Sequence, residues 1–293
     1  MGRASRQIIS RYRPPVALDT SAKHPEALPD TESLLDQGAI ASAIRGLKIT
    51  IQVVDSIDST NSELLRRAAR ADVHRHLLVA ERQQAGRGRR GREWSALAGG
   101  SLTFSLGWRF ERRAAQLGGL SLAAGVAVAR ALEGSGYRDL ELKWPNDVLH
   151  RWRKLAGILI ELTEDAVGST IAVIGVGVNV RVPPSLRGKV AGPVTDLAGI
   201  DGDVSIDRNL LLACIAAELV TVLGHYAEKG FEPFRAEWQQ RDALCGRPVQ
   251  VLMPDASRIL GVAAGVDTDG ALLVERNARQ LRFVNGEVSV RRA

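Results

Sequence analysis

The chain has 293 residues, of which 45% are hydrophobic and 25% charged, with a formal net charge of +6. This length and apolar content support a buried core in one large domain plus a small one. The two cysteines, Cys214 and Cys245, form no C-x-x-C pattern, which argues against a disulfide framework or a zinc site and fits a reducing compartment. The N-terminus lacks the apolar segment of a secretory signal, and the longest largely apolar run, 117–129, is shorter than the roughly 20 residues of a membrane span. We therefore expect a cytoplasmic protein with no membrane segment.

The N-terminal residues mix Arg, Pro and Ser without hydrophobic periodicity, so we expect a disordered tail over 1–34. From about Lys48 the pattern alternates between strands and helices, and the first helix opens with a T-x-x-E capping box of Thr60 and Glu63. Further helices are predicted over 117–136, over about 208–229 with Gly230 after its end, and from there to about 244. Strands are predicted over 48–54, 76–81, 101–110, 140–144, 156–162 and 169–180.

After Gly246 the chain changes to short apolar segments separated by turn signals such as Asp269-Gly270 and Asn285-Gly286. This pattern predicts a small β domain over 246–293, following a larger α/β domain over 35–245. The strands of the small domain are predicted over 247–253, 258–267, 270–275, 279–284 and 287–291.

The segment "QQAGRGRRGREW", 83–94, carries four arginines and three glycines within 86–92. Its glycines satisfy G-x-G-x-x-G after a strand, but too few residues follow for the helix that a dinucleotide-binding motif needs. The spacing also matches a P-loop, but Arg92 and Glu93 replace the required Lys and Ser/Thr. We interpret the segment as a flexible cationic loop, because glycines let the backbone close around a ligand and guanidinium groups suit carboxylate and phosphate oxygens.

Lysine is scarce in this chain, which has six lysines against 33 arginines. We interpret the widely spread arginines as solvated surface and expect no nucleic-acid binding. Two of the six lysines, Lys143 and Lys154, fall within twelve residues of each other and mark a candidate site.

Five motifs in order carry a resemblance to a known family. They are "STN" at 59–61, "QQAGRGRRGREW" at 83–94, "KWPNDV" at 143–148, "KLAGILIE" at 154–161 and "GVGVNV" at 175–180. Over about 35–293 the chain resembles the biotin protein ligases. We expect an α/β (α+β) fold, with a mixed central sheet and flanking helices in a class II synthetase-like catalytic domain, followed by a small C-terminal SH3-like β-barrel.

The resemblance implies a two-step ligase reaction. Biotin reacts with ATP to give biotinoyl-5′-AMP, and the acyl group then passes to a lysine of a biotin carboxyl carrier protein or domain. The resemblance also implies Mg²⁺ carried by ATP, with no dedicated protein metal site, and an enzyme that is either a monomer or a homodimer.

The resemblance assigns residue roles at matching positions. Lys154 and Arg87 are the expected catalytic residues, and Asp147 is a candidate for orienting the acceptor amine or a metal, or for merely capping a turn. Arg208 and Glu287 are weaker candidates. Biotin is expected to contact Ser59, Thr60, Asn61, Gln84, Arg87, Gly88, Arg89, Lys154 and Gly157. ATP or the adenylate is expected to contact Arg89, Arg92, Trp94, Lys143, Asn146, Asn179 and Arg291.

Two alternatives remain open. A lipoate or octanoate ligase or transferase shares the fold, and some relatives add a winged helix-turn-helix and act as repressors. Fewer than 50 residues precede the "STN" segment's strand, so we expect the monofunctional class without a DNA-binding domain. Between the two lysine motifs the chain reads "LHRWR", where Trp152 at a predicted hairpin tip either is exposed or folds back onto the sheet.

Overall fold

The structure is a computed structural model that describes residues 34–95, 98–164, 168–187, 192–202, 206–284 and 289–292. The predicted tail over 1–34 lies outside the described residues except for its last residue, Leu34, which is exposed. The 35–245 and 246–293 domain boundaries stay predictions.

The larger part of the chain is built on a seven-stranded mixed sheet with the order β1-β2-β3-β7-β6-β5-β4. Strands β1 and β2 are parallel, and the other neighbours are antiparallel. The mixed sheet is therefore confirmed. Its strands are β1 Thr50–Ile57, β2 His76–Gln83, β3 Ser101–Phe110, β4 Leu140–Lys143, β5 Asp147–His150, β6 Arg153–Glu164 and β7 Thr170–Asn179.

Helices cover both faces of this sheet. Helices α3 and α6 pack against each other and bury the main core, while α2 covers the other face through a small cluster of Leu64, Leu78 and Val173. The predicted helix to about 244 ends earlier, at Gln240. The helices are α1 Gln37–Ala43, α2 Thr60–Ala68, α3 Leu120–Gly134, α4 Pro184–Arg187, α5 Leu197–Asp201, α6 Arg208–Lys229 and α7 Glu232–Gln240.

The start of α2 differs from the predicted capping box. Ser59, not Thr60, is the N-cap: its backbone is extended and its side chain accepts a hydrogen bond from the Ser62 N–H at 3.4 Å. Thr60 is already the first helical residue. Glu63 binds Arg66 and Arg67 one turn later instead of returning to the cap.

Helix α6 has the length and apolar composition to cross a membrane, unlike the shorter run at 117–129. Two thirds of its apolar window, 67%, is buried inside the protein, as in the core helix of a globular domain. Its packing against α3 accounts for its hydrophobicity.

The five predicted C-terminal strands are present and form a second sheet with the order β11-β10-β9-β8-β12. All four of its neighbouring pairs are antiparallel. These pairings leave an open order, so closure into an SH3-like barrel stays a prediction. The strands are β8 Pro248–Leu252, β9 Arg258–Val266, β10 Leu272–Arg276, β11 Arg279–Phe283 and β12 Ser289–Arg292.

The turn between β9 and β10 contacts the large sheet at the first lysine motif, "KWPNDV". The buried Trp144 indole N–H donates to the Gly270 carbonyl at 3.1 Å. Gly270 has a left-handed φ of +81°, and a Cβ there would lie 2.6 Å from the Gly119 Cα. The small sheet is therefore tied directly to the segment that begins with Lys143.

Candidate active site

The glycine-arginine loop, residues 86–94, forms a narrow hairpin above the sheet. The Gly88 N–H donates to the Arg92 carbonyl at 2.7 Å, and the Trp94 N–H donates to the Gly86 carbonyl at 2.9 Å. At its tip Arg90 and Gly91 have left-handed φ values of 58° and 69°. These internal hydrogen bonds fix the shape of the loop, in which Arg87, Arg90 and Arg92 are exposed and Arg89 is half-buried.

The Trp94 indole packs on two glycines of neighbouring strands, Gly157 of β6 and Gly177 of β7, which we call the glycine floor. These glycines are direct partners in the sheet. A Cβ on Gly177 would lie 2.3 Å from the indole Cε2, and one on Gly157 would lie 3.3 Å from Cζ3. The floor therefore needs residues without side chains. The indole N–H is buried and has no hydrogen-bond partner among the described residues.

Beside the glycine floor lies a lysine–aspartate cluster of Lys143, Asp147 and Lys154. The Lys154 Nζ is 2.6 Å from the Asp147 carboxylate, and the Lys143 Nζ is 3.9 Å from it. Sheet register brings Lys143 and Asp147 next to the floor, because Lys143 pairs with Asp147, Asp147 with Gly157, and Gly157 with Gly177. Lys154 lies outside this row and pairs with Leu149, beyond a register shift between Val148 and Leu149. Residues in one cross-strand row point to the same face of the sheet. The Lys154 ammonium also lies 5.6 Å from the centre of the Trp94 ring.

The electrostatic environment of this cluster is set mainly by burial and by excess positive charge. Burial is the largest influence lowering the pKa of Lys143, and the positive charges of Lys154, Arg92 and Arg291 add to it, while Asp147 opposes it. Burial also lowers the pKa of Arg89, again against the attraction of Asp147. The site therefore concentrates cations around one carboxylate, an arrangement that suits a polyanionic ligand.

The "STN" residues form a second group at the other end of the site, under the start of α2. Ser59, Thr60 and Asn61 are all at least 96% buried. The Ser105 hydroxyl donates to the Asn61 carbonyl oxygen at 2.5 Å and lies 2.7 Å from the Thr60 hydroxyl. The Asn61 amide nitrogen donates to the Leu159 carbonyl at 3.2 Å and to the Glu161 carboxylate at 2.9 Å. This polar, enclosed group suits the head group of a small ligand.

The structure places Gln84 outside the buried "STN" group, so its contact with biotin stays a prediction. Gln84 is exposed, and its amide nitrogen lies 3.3 Å from the Ser56 hydroxyl. Gln83 contacts the buried group instead, because its side-chain oxygen accepts from the Thr60 backbone N–H at 2.8 Å and from its hydroxyl at 3.2 Å. Gln83 is the last residue of β2 and Gln84 lies in the bend that follows, so the two side chains point to different surroundings.

Two asparagines predicted to contact the nucleotide donate their amide N–H groups to backbone carbonyls of the protein. Asn146 donates to the Ile158 carbonyl at 2.7 Å. Asn179 donates to the carbonyls of Lys154 and Thr195 at 3.2 and 3.0 Å. Both side chains therefore position strand β6, and a contact with nucleotide, which stays a prediction, would use their amide oxygens.

The remaining candidates fall at different distances from this centre. Arg291 of β12 is exposed and close enough for its charge to influence Lys143. Arg208 is 1% exposed and forms a bidentate ion pair with Glu81 at 2.8 and 2.9 Å, which is a structural role away from the loop tip. Glu287 lies outside the described residues. Trp152 folds back, half-buried, with the Arg247 guanidinium 4.7 Å from its ring centre.

Sequence reasoning missed Gln83, Ser105 and Glu161 as members of the site. Glu161 accepts from Arg87 at 3.0 Å as well as from Asn61. Gln83 could have been suspected because it is next to Gln84 in the same motif, and Glu161 because it is the last residue of "KLAGILIE". Which side chains contact the site depends on strand register, which the motifs do not show.

The chain matches two protein-family models. Residues 53–179 match the Biotin/lipoate A/B protein ligase family, and residues 244–291 match the Biotin protein ligase C terminal domain. These matches define the class of protein to which the sheet and its site belong.

Individual relatives narrow the class. The chain is 36% identical over 264 residues, 88% of this chain and 94% of the relative, to the biotin--[acetyl-CoA-carboxylase] ligase of Mycobacterium tuberculosis. It is 36% identical over 270 residues, 91% of this chain and 81% of the relative, to the bifunctional ligase/repressor BirA of Escherichia coli. The biotin protein ligase from Aquifex aeolicus, solved in complex with biotin and ATP, matches with a TM-score of 0.70 and 29% identity over 83% of this chain and 99% of that one. The chain belongs to the biotin protein ligase family of enzymes.

Proposed function

We propose that this chain joins biotin to ATP as biotinoyl-5′-AMP and transfers the biotinoyl group to a lysine of a carboxyl carrier domain. The observation that carries the proposal is the position of Lys154. Its ammonium lies 3.0 Å from where a Cβ on Gly157 would be, 2.6 Å from the Asp147 carboxylate and 5.6 Å from the centre of the Trp94 ring of the glycine-arginine loop.

In the first step an oxygen of the biotin carboxylate attacks the α-phosphorus of ATP, and pyrophosphate leaves. Negative charge grows on the α-phosphoryl oxygens and on the leaving group. Lys154 and Lys143 are placed to stabilise that charge, and Arg87 and Arg89 reduce the repulsion between the two anions. Each unlike pair at 4 Å is worth on the order of 4 kcal/mol at an effective dielectric of about 20.

In the second step the carrier lysine, as a neutral amine, attacks the acyl carbon; the bond from that carbon to the phosphate oxygen breaks, AMP leaves, and the nitrogen releases one proton to solvent. The Asp147 carboxylate is the acidic group of the cluster, and we propose that it orients the incoming amine. No covalent bond to the enzyme is needed in either step, since the mixed anhydride already carries the activated acyl group.

Magnesium supplies charge neutralisation on the ATP phosphates. The described residues contain no group of three or more His, Cys, Asp or Glu side chains that could hold a metal ion. Asp147 already contacts two lysines. This donor set does not fit a protein-held metal, so we propose that Mg²⁺ arrives on ATP.

The names of relatives favour two alternatives. The matched family includes lipoate ligases, and BirA is named a ligase/repressor. Salt-dependent binding of the full chain to operator-like DNA would be the mark of a repressor.

The test is pyrophosphate release from ATP without carrier, comparing biotin, lipoate, octanoate and no acid. We expect a burst of about one pyrophosphate per site with biotin alone, because the adenylate stays bound. A burst with lipoate or octanoate but not with biotin would show that biotin is not the substrate. Absence of a burst with every acid would overturn the adenylation step. A purified carrier domain, followed by mass spectrometry, then tests transfer.

A further inference from the structure

Glu161 connects the glycine-arginine loop to the buried "STN" group. It lies on β6 with its side chain 26% exposed. The Arg87 guanidinium donates to its two oxygens at 3.0 and 3.3 Å, and the Asn61 amide donates at 2.9 Å. One carboxylate therefore binds a loop residue and a residue of the buried "STN" group at the same time.

We propose that Glu161 is a positioning residue that latches the glycine-arginine loop over the site and slows escape of the biotinoyl-adenylate. The inference rests on the proposed function for the identity of the retained ligand. The latch itself is an ion pair between sheet and loop, reinforced by the Arg87 hydrogen bond to the Ser62 hydroxyl at 2.9 Å.

The geometry distinguishes this contact from a solvated surface pair. Asn61 is 96% buried, and its amide group is held at three points, by Ser105, Leu159 and Glu161. Glu161 therefore has a fixed orientation, which lowers the entropy cost of binding Arg87. A displacement of Asn61 would also shift the Glu161 carboxylate. The position of Asn61 in the "STN" group is therefore coupled to the position of the loop through Glu161.

The pair is also weak enough to open. The Arg87 side chain is 47% exposed, and ion pairs of that exposure stabilise by a small amount that salt screens. The backbone hydrogen bonds of Gly88 and Trp94 run within the hairpin and do not reach the sheet. Loss of the ion pair should therefore release the loop from the sheet and make local opening of the hairpin more frequent.

The first test uses the ligand-free protein and the arginines of the loop as trypsin sites. Glu161→Gln keeps the size of the side chain and its bond to Asn61 but removes the charge that holds Arg87. We expect cleavage within 87–92, read by mass spectrometry, to be about two- to fivefold faster than in wild type. Glu164→Gln makes the same charge change at the far end of β6 and should cleave at the wild-type rate.

The second test measures retention. Protein charged with labelled biotin and ATP is freed of excess reagents, and loss of labelled biotinoyl-adenylate is followed. We expect Glu161→Gln to lose it about two- to fivefold faster, and the effects of Glu161→Gln and Arg87→Gln to be less than additive in the double variant.

The outcomes separate the two claims. Equal cleavage rates in Glu161→Gln and wild type overturn the latch, whether or not adenylate forms. Faster cleavage together with unchanged adenylate loss overturns its role in retention. Failure of wild type to form any adenylate overturns the proposed function, and with it the retention role, while the proteolysis still reports on the loop contact.

Discussion

The cations of the site are held by two different kinds of backbone. Lys154 lies on β6, and its backbone N–H and carbonyl are both bound, to Pro193 and Thr195 at 2.9 and 3.0 Å. Arg87 and Arg89 instead lie on a hairpin whose backbone hydrogen bonds run within the hairpin. The strand-borne cations are therefore anchored through the sheet, and we infer that the loop-borne cations are held less firmly.

This difference suggests a division of labour. Stabilising a transition state requires charge that is already in place, because reorganisation would cost part of the benefit. Retaining a reactive intermediate requires groups that close after the substrates enter. We expect Lys154 to act mainly on adenylate formation and the loop arginines mainly on adenylate retention.

The largest expected effect is on the fixed lysine. Lys154→Met should slow adenylate formation about 10²- to 10³-fold, because a preorganised charge next to the α-phosphate is removed. The rate of the pyrophosphate burst measures this step. Lys229→Met, an exposed lysine at the end of α6, is the control. A slowing below tenfold would contradict the assignment of Lys154.

The next effect concerns the loop. Arg89→Gly should speed loss of bound biotinoyl-adenylate about tenfold, because a charge-assisted hydrogen bond to the anhydride is lost. The half-life of the charged protein after removal of excess substrates gives the rate, and Arg82→Ala on β2 is a control at an exposed arginine. Unchanged retention would show that Arg89 does not hold the intermediate.

The glycine floor lies between the two groups of cations and gives a smaller effect. Gly177→Ala places a Cβ 2.3 Å from the present position of the Trp94 indole, which must move. We expect KM for biotin to rise about fivefold through this overpacking. Combination with Trp94→Ala should remove the added penalty. If Gly177→Ala raises the KM for biotin by the same factor in the Trp94→Ala background as in wild type, the new methyl group does not act by displacing the indole.

The smallest expected effect on the reaction is at Asp242, which lies beside the strand that carries Lys143. A substitution there should change the free energy of unfolding and leave the reaction unchanged. Asp242 forms a bridge with Leu142, next to Lys143, and burial raises its pKa from 3.8 to about 6. The folded state therefore binds the proton more tightly, and the stability from this group is full below pH 3.8 and lost as the pH rises through about 6.

Asp242→Asn removes this titration. At pH 8 the variant should be more stable than wild type by about 1–3 kcal/mol, with a smaller difference at pH 4. Urea unfolding at the two pH values gives both numbers, and adenylate formation should be unchanged. An equal stability difference at pH 4 and pH 8 would mean that Asp242 does not titrate as described.

Much of the fold could be predicted because hydrophobic periodicity and turn residues are local signals. Strand β3 and helix α6 were predicted within the bounds that the structure gives. The start of α2 was misplaced by one residue, because Ser59 and Thr60 are equally good caps by residue type. Closure of the small sheet depends on long-range pairing, which local patterns do not encode.

The site was less predictable for a physical reason. The motifs identified Lys154, Asn61 and the arginines, but the partners of these residues depend on strand register. Gln83 rather than Gln84 contacts the start of α2, and Glu161 joins Asn61 to Arg87 across 100 and 74 residues of sequence. A one-residue change of register would reverse both outcomes.

The division between strand-borne and loop-borne cations is tested most directly by a single-turnover experiment with labelled ATP and biotin. Formation and loss of the adenylate are timed separately in wild type, Lys154→Met and Arg89→Gly. We predict that Lys154→Met slows formation with little change in loss, and that Arg89→Gly accelerates loss with a much smaller change in formation. If both variants alter formation by the same factor and leave loss unchanged, the loop and the sheet do not divide the reaction as the structure indicates.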